Sequence, residues 1–136
     1  MVDQFVSANK ALTFRPDYRD AFSDSARKVL EETDAVIFVA EEKGELIGLI
    51  AGRIIDNGPI IIPEKIGYVG TTVVLSKYRR KGIAKALWER LKEWFVSKGI
   101  EEAQLYVVPD NDEAGGFWES RGFNIFLERW KKRIVN

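Results

Sequence analysis

Hydrophobic and polar positions along this chain switch between a period of two and a period near 3.6, and each switch marks an element. Ala35 to Ala40 is a continuous apolar run of strand type. Glu41 to Glu45 reads as a turn and Leu46 to Ile55 as a second strand, so the pair predicts a hairpin. Asp56-Asn57-Gly58-Pro59 is turn chemistry. Ile60-Ile61-Ile62-Pro63 suits only a short edge segment, because flanking prolines bar a central strand. Gly67 to Leu75, rich in β-branched residues, predicts the next strand. Ile83, Leu87, Leu91, Trp94 and Phe95 then share one helical face, and Gly99 supplies a C-cap.

Gln104 to Val108 is a further strand, ended by Pro109. A crossover helix precedes it, so it should run parallel to the strand ending at Leu75. Asp110-Asn111-Asp112-Glu113 carries a helix-start signal, predicting a short helix from Asp112 to Arg121 that Gly122 stops. Apolar and polar residues alternate from Ile125 onward, which predicts a last strand over Phe123 to Ile134. Before the hairpin, Asp17 to Glu32 reads as a helix with Ala21, Phe22, Ala26, Val29 and Leu30 near one side. Val2, Phe5 and Val6 fit a short helix, and Leu12 to Phe14 an extended piece. The order implies an α/β (α+β) fold: a mixed, mostly antiparallel sheet with one parallel pair, flanked by helices. With 136 residues, one domain over 1–136 is the expectation.

Composition narrows the chemistry. A formal net charge of zero argues against nucleic acid or an anionic membrane as partner, since both demand a surplus of Lys and Arg. No apolar run approaches the roughly 20 residues that span a bilayer. Met1-Val2-Asp3-Gln4 does not open a signal peptide, so the cytoplasm is the expected compartment. Cysteine and histidine are both absent. No disulfide, thiolate nucleophile or histidine acid/base catalyst can form, and no metal site is expected. Direct transfer from an activated donor, driven by positioning, suits such a chain.

One join is electrostatically odd. A helix N-terminus carries about half a positive charge and favours acidic neighbours. Arg79, Arg80 and Lys81 crowd that end of the helix beginning near Ile83. Charge runs usually face water. Here Gly82 and Ala84 add small residues, and backbone donors plus a dipole would make a phosphate cradle.

Arg79-Arg80-Lys81-Gly82-Ile83-Ala84 resembles the Q/R-x-x-G-x-G/A signature of the GCN5-related N-acetyltransferases (GNAT family). Leu105-x-Val107-x-x-x-Asn111-x-x-Ala114-x-x-Phe117-Trp118, followed by Gly122-Phe123, is similar to that family's second conserved stretch. The likeness covers about residues 17–130, and implies a GNAT-like sheet whose parallel pair is splayed. It implies acetyl-coenzyme A as co-substrate, a primary amine on a small molecule or peptide as acceptor, and direct transfer through a ternary complex. Thr72, Val73 and Val74 would offer backbone to the pantetheine arm, with Val74 N–H facing the developing oxyanion. Arg79, Arg80, Lys81, Gly82, Ile83, Ala84 and Lys85 would hold the pyrophosphate. Asn111, Ala114 and Phe117 would line the cofactor's path. The aromatic last strand, with Phe126 and Trp130, offers an edge for a homodimer.

Departures from the family pattern fall on the chemistry. Trp118 stands where the family usually has a tyrosine acid, and an indole N–H donates a hydrogen bond but not its proton. Ser120, Tyr106 or water are the other candidate proton sources. Tyr68 stands where several relatives carry a glutamate base, and reads either as a proton relay or as a half-buried strand residue. Asn111 reads equally as an N-cap. A domain that binds coenzyme A without transferring acetyl is the alternative these departures leave open.

Overall fold

The computed structural model describes residues 1–9 and 12–136. Two helices, α1 (Val2–Ala8) and α2 (Tyr18–Glu31), precede the sheet. The hairpin forms as its two apolar runs predict, with β1 (Ala35–Glu42) antiparallel to β2 (Glu45–Asp56). β3 (Lys65–Val74) pairs antiparallel with β2, α3 (Ile83–Ser97) crosses over, and β4 (Ala103–Gln104) lies parallel to β3. The sheet order is β1-β2-β3-β4, and α4 (Asp112–Ser120) follows.

The core lies between the sheet and α3. Leu87, Trp88, Leu91 and Phe95 pack on Ile50, Val69 and Val74, and Trp118 of α4 joins the same cluster. β3 crosses under α3 closely: a Cβ at Gly67 would sit 2.6 Å from the Phe95 ring. α2 is amphipathic but peripheral. It buries no residue fully, and Leu30, expected near its inner side, is exposed.

Three expectations fail, each because a ladder needs a partner as well as a pattern. The strand predicted over Gln104 to Val108 shortens to Ala103–Gln104, since the chain leaves β3 after the Tyr68–Gln104 pair. The last strand predicted over Phe123 to Ile134 does not form. Its Ile125, Phe126, Leu127 and Trp130 are all exposed, so the alternation has no face to bury, and the edge proposed for a homodimer is not a strand. The Ile60–Pro63 segment is likewise outside the sheet, with Ile60 and Ile62 more than nine-tenths exposed.

Candidate active site

The site grows from the open edge of β3. Its last ladder bond to β2 runs from the Leu75 N–H to Ile47 O at 2.9 Å. Backbone groups on a strand alternate sides, so the N–H and C=O of Val74 must point the other way. Among the described residues no strand meets them, because β4 has already departed, and the Gln4 side chain bonds the carbonyl. β3 also carries one residue more than β2 between Val69 and Thr72, a bulge that twists it locally. The parallel pair parts after two residues, leaving an edge that side chains reach: Gln4 Nε2 and Arg79 Nε on the Val74 carbonyl.

Alternation sorts the three residues named for this edge. Thr72 and Val74 turn their backbone outward. Val73 turns its carbonyl toward β2, within 3.3 Å of where a Cβ on Gly48 would stand, so it is not an edge residue. The side chains of Val73 and Val74 are buried, and Val74 can serve a ligand only through its backbone.

Past β3 the chain makes a short 3-10 turn, Ser76–Tyr78, then enters α3 through two left-handed residues, Arg80 (φ 61°) and Gly82 (φ 78°). Gly82 is the N-cap, no side chain caps the helix, and its first turn holds no acid. Its opening N–H groups, those of Ile83 to Lys85, lack intrahelical acceptors by geometry. Space beside Gly82 is open: an added Cβ would meet nothing within 4 Å. The three cations differ in their surroundings. Arg79 bonds Glu113 of α4 at 2.9 Å, Lys81 lies 5.4 Å from the Tyr78 ring centre, and Arg80 has no ion-pair partner among the described residues. Lys85 is exposed, whereas Ile83 and Ala84 pack against the core.

α4 forms the far wall. Asn111 is its N-cap: Oδ1 accepts the Ala114 N–H at 3.1 Å, while Nδ2 faces Ala8 O at 3.5 Å. Phe117 is half-buried, under the Arg121 guanidinium. Trp118 is only 7% exposed, set edge-on against Trp88 and Phe123, so its ring serves the core. Ser120 donates its hydroxyl to Phe117 O at 2.7 Å. Tyr68 sits at the fork where β3 and β4 part, edge-on to Tyr106. Burial pushes its phenol above the usual tyrosine range, the neighbouring Tyr106 adds to this, and Arg129 partly opposes it. Tyr68 is therefore protonated at neutral pH and can donate a hydrogen bond but not act as a base.

The uncapped start of α3 thus lies beside the outward edge of β3. The Acetyltransferase (GNAT) family model matches residues 5–123. The chain belongs to the GNAT family. It is 35% identical over 101 residues to an N-alpha-acetyltransferase of Sulfurisphaera tokodaii, a match covering 69% of this chain and 59% of that protein. The chain thus spans about three-fifths of the length of that relative. Among solved structures, AAC(6')-Iy in complex with the bisubstrate analogue CoA-S-monomethyl-acetylneamine superposes with a TM-score of 0.71 at 25% identity, over 88% of this chain and 82% of that one. The apo aminoglycoside 6'-N-acetyltransferase AAC(6')-IG of Acinetobacter haemolyticus shares the fold, with a TM-score of 0.74 at 19% identity, over 89% and 86% of the two chains.

Two features of this GNAT chain carried no sequence signal. Glu113 marks a helix start in the sequence, yet nothing there pairs it with Arg79. Gln4, on α1, reaches the end of β3 and bonds both Val74 and Ser76. Among the described residues no group of three or more His, Cys, Asp or Glu could hold a metal ion, and no helix is long and apolar enough to cross a membrane.

Proposed function

We propose that the chain is an N-acetyltransferase that moves the acetyl group of acetyl-coenzyme A directly to a primary amine within a ternary complex. The observation that carries this reading is the adjacency of the uncapped start of α3 and the outward edge of β3, whose Val74 carbonyl is reached by the side chains of Gln4 and Arg79 and by no strand among the described residues. The donor set suits the co-substrate. N–H groups of Gly82 to Lys85, with Arg80 and Lys81 beside them, would hold a pyrophosphate, and the Val74 edge would hold an amide-bearing arm.

Bound acetyl-coenzyme A supplies an activated acyl group on a thiol leaving group. The Val74 N–H points outward and would stabilise negative charge developing on the thioester oxygen. Tyr68, kept protonated by burial, would donate a hydrogen bond at the fork. The sequence has no cysteine, so no acyl-cysteine can form, and the proton leaving the amine would pass to a carboxylate or to water. An alkyl thiol has a pKa of about 8.5, so departure as thiolate needs little acid assistance. Losing a dedicated acid would cost on the order of 10²-fold, which slows transfer without abolishing it.

The acceptor class to test first is the α-amine of a peptide, because the relative from Sulfurisphaera tokodaii carries that activity in its name. Thiol release would be followed with N-terminal peptides, lysine peptides, polyamines and aminoglycosides as acceptors. Saturable release with any amine supports the reading. Tight acetyl-coenzyme A binding without turnover on any of them would favour a coenzyme A-binding sensor, the alternative that the core position of Trp118 recommends.

A further inference from the structure

α1 lies across both walls of the proposed co-substrate seat. Gln4 Nε2 donates to Val74 O at 2.5 Å, and Gln4 Oε1 accepts from the Ser76 N–H and the Ser76 hydroxyl, each at 3.0 Å. One turn further on, Ala8 O faces Asn111 Nδ2 of α4 at 3.5 Å. A single short helix therefore spans from the end of β3 to the start of α4, turning polar groups toward residues from both conserved stretches.

The Gln4 contact has the form of a strand contact. Backbone groups on one edge recur every second residue, and Val74 C=O and Ser76 N–H form such a set. A primary amide gives a donor to the first and an acceptor to the second, as the peptide of a neighbouring strand would. Little capacity is left over. Val74 O, with two lone pairs, already faces Gln4 Nε2 and, at 3.5 Å, Arg79 Nε. The single proton of the Ser76 N–H is taken. A chain running from the start of α3 back along β3 toward Thr72 has to pass this point.

Resting on the reading of that edge as the seat of the pantetheine arm, we infer that Gln4 stands in for an amide of the arm. Acetyl-coenzyme A binds by displacing the Gln4 side chain and loosening α1. The helix is suited to this. Its seven residues fall short of the roughly 12–15 that an isolated helix needs in water, so anchors hold it in place. Asp3 remains bonded to Tyr18 at 2.6 Å and to Arg19 at 2.9 Å, so α1 stays tethered to α2 when Gln4 lets go.

Calorimetry with acetyl-coenzyme A on the wild type and Gln4→Ala tests the inference. Removing the internal competitor should tighten binding about three- to tenfold, the net worth of one ordinary hydrogen bond. Hydrogen exchange on the wild type gives a readout that needs no variant: acetyl-coenzyme A should speed exchange of the α1 amides while slowing those at the start of α3. Equal or weaker binding by Gln4→Ala, or slowed exchange in α1, overturns the inference while the co-substrate seat stands. Failure of both proteins to bind acetyl-coenzyme A overturns the seat itself, and this inference with it.

Discussion

Arg79 Nη1 stands 2.9 Å from Glu113 Oε2, so the start of α3 is tied to the first turn of α4 by one ion pair. The pair answers part of the charge anomaly at the α3 N-terminus. Both side chains keep substantial exposure, so the pair is worth about 0–1 kcal/mol to the fold. Its larger effect is on the field at the site, because Glu113 cancels one cation where a diphosphate would sit. Glu113→Gln should leave the melting temperature nearly unchanged and tighten acetyl-coenzyme A several-fold at low salt. Calorimetry at two ionic strengths checks this, and a weakened complex would count against the seat.

Gly82 separates a backbone requirement from a ligand requirement. Its φ of 78° costs an L-residue about 1–2 kcal/mol, yet an added methyl would touch nothing in the protein. Gly82→Ala should therefore lower stability by about that amount and leave the fold intact. Binding of acetyl-coenzyme A should fall by more than tenfold, since the methyl would occupy the ligand's approach. Urea denaturation and calorimetry on the same variant compare the two losses.

Arg80 holds a left-handed φ of 61° without the freedom of glycine. Arg80→Ala keeps the strain and loses the charge, whereas Arg80→Gly loses both. Arg80→Gly should be the more stable of the two by about 1 kcal/mol, after its larger unfolded-state entropy is set against the relieved strain. Both should weaken acetyl-coenzyme A binding similarly and flatten its salt dependence. Equal stabilities in urea would show that the turn tolerates the residue without strain.

Legibility in the sequence followed the range of the forces involved. The β1–β2 hairpin and α3 could be read because their apolar periods are long and carry their own turn and cap residues. The helix start at Gly82 could be read because a cation run before it conflicts locally with a helix dipole. Elements whose hydrogen bonds come from distant chain could not. Gln104 to Val108 has strand composition, but only Ala103 and Gln104 find β3 within reach. Trp118 occupies the motif position of an acid, and its burial against Trp88 and Phe123 appears only when α4 has docked. Gln4 is one polar residue in a short helix, and its two partners lie in a strand and turn far along the chain.

Tyr68 links the fold to a measurable pH dependence. Burial raises its phenol above the ordinary value, so the folded chain prefers the protonated form. Below the unfolded pKa of about 10 both states are protonated, and the full stability is present. As pH rises past that value the unfolded chain loses its proton first, and stability falls until the folded pKa is passed. Tyr68→Phe removes this dependence, so the gap between variant and wild-type melting temperatures should narrow or reverse between pH 9 and 11. The same shift bears on turnover. A phenol that stays protonated cannot serve as base, so kcat/KM should climb with the fraction of free amine acceptor. Tyr68→Phe should lower that curve without moving its inflection. An inflection that shifts in the variant would assign the proton transfer to Tyr68 after all.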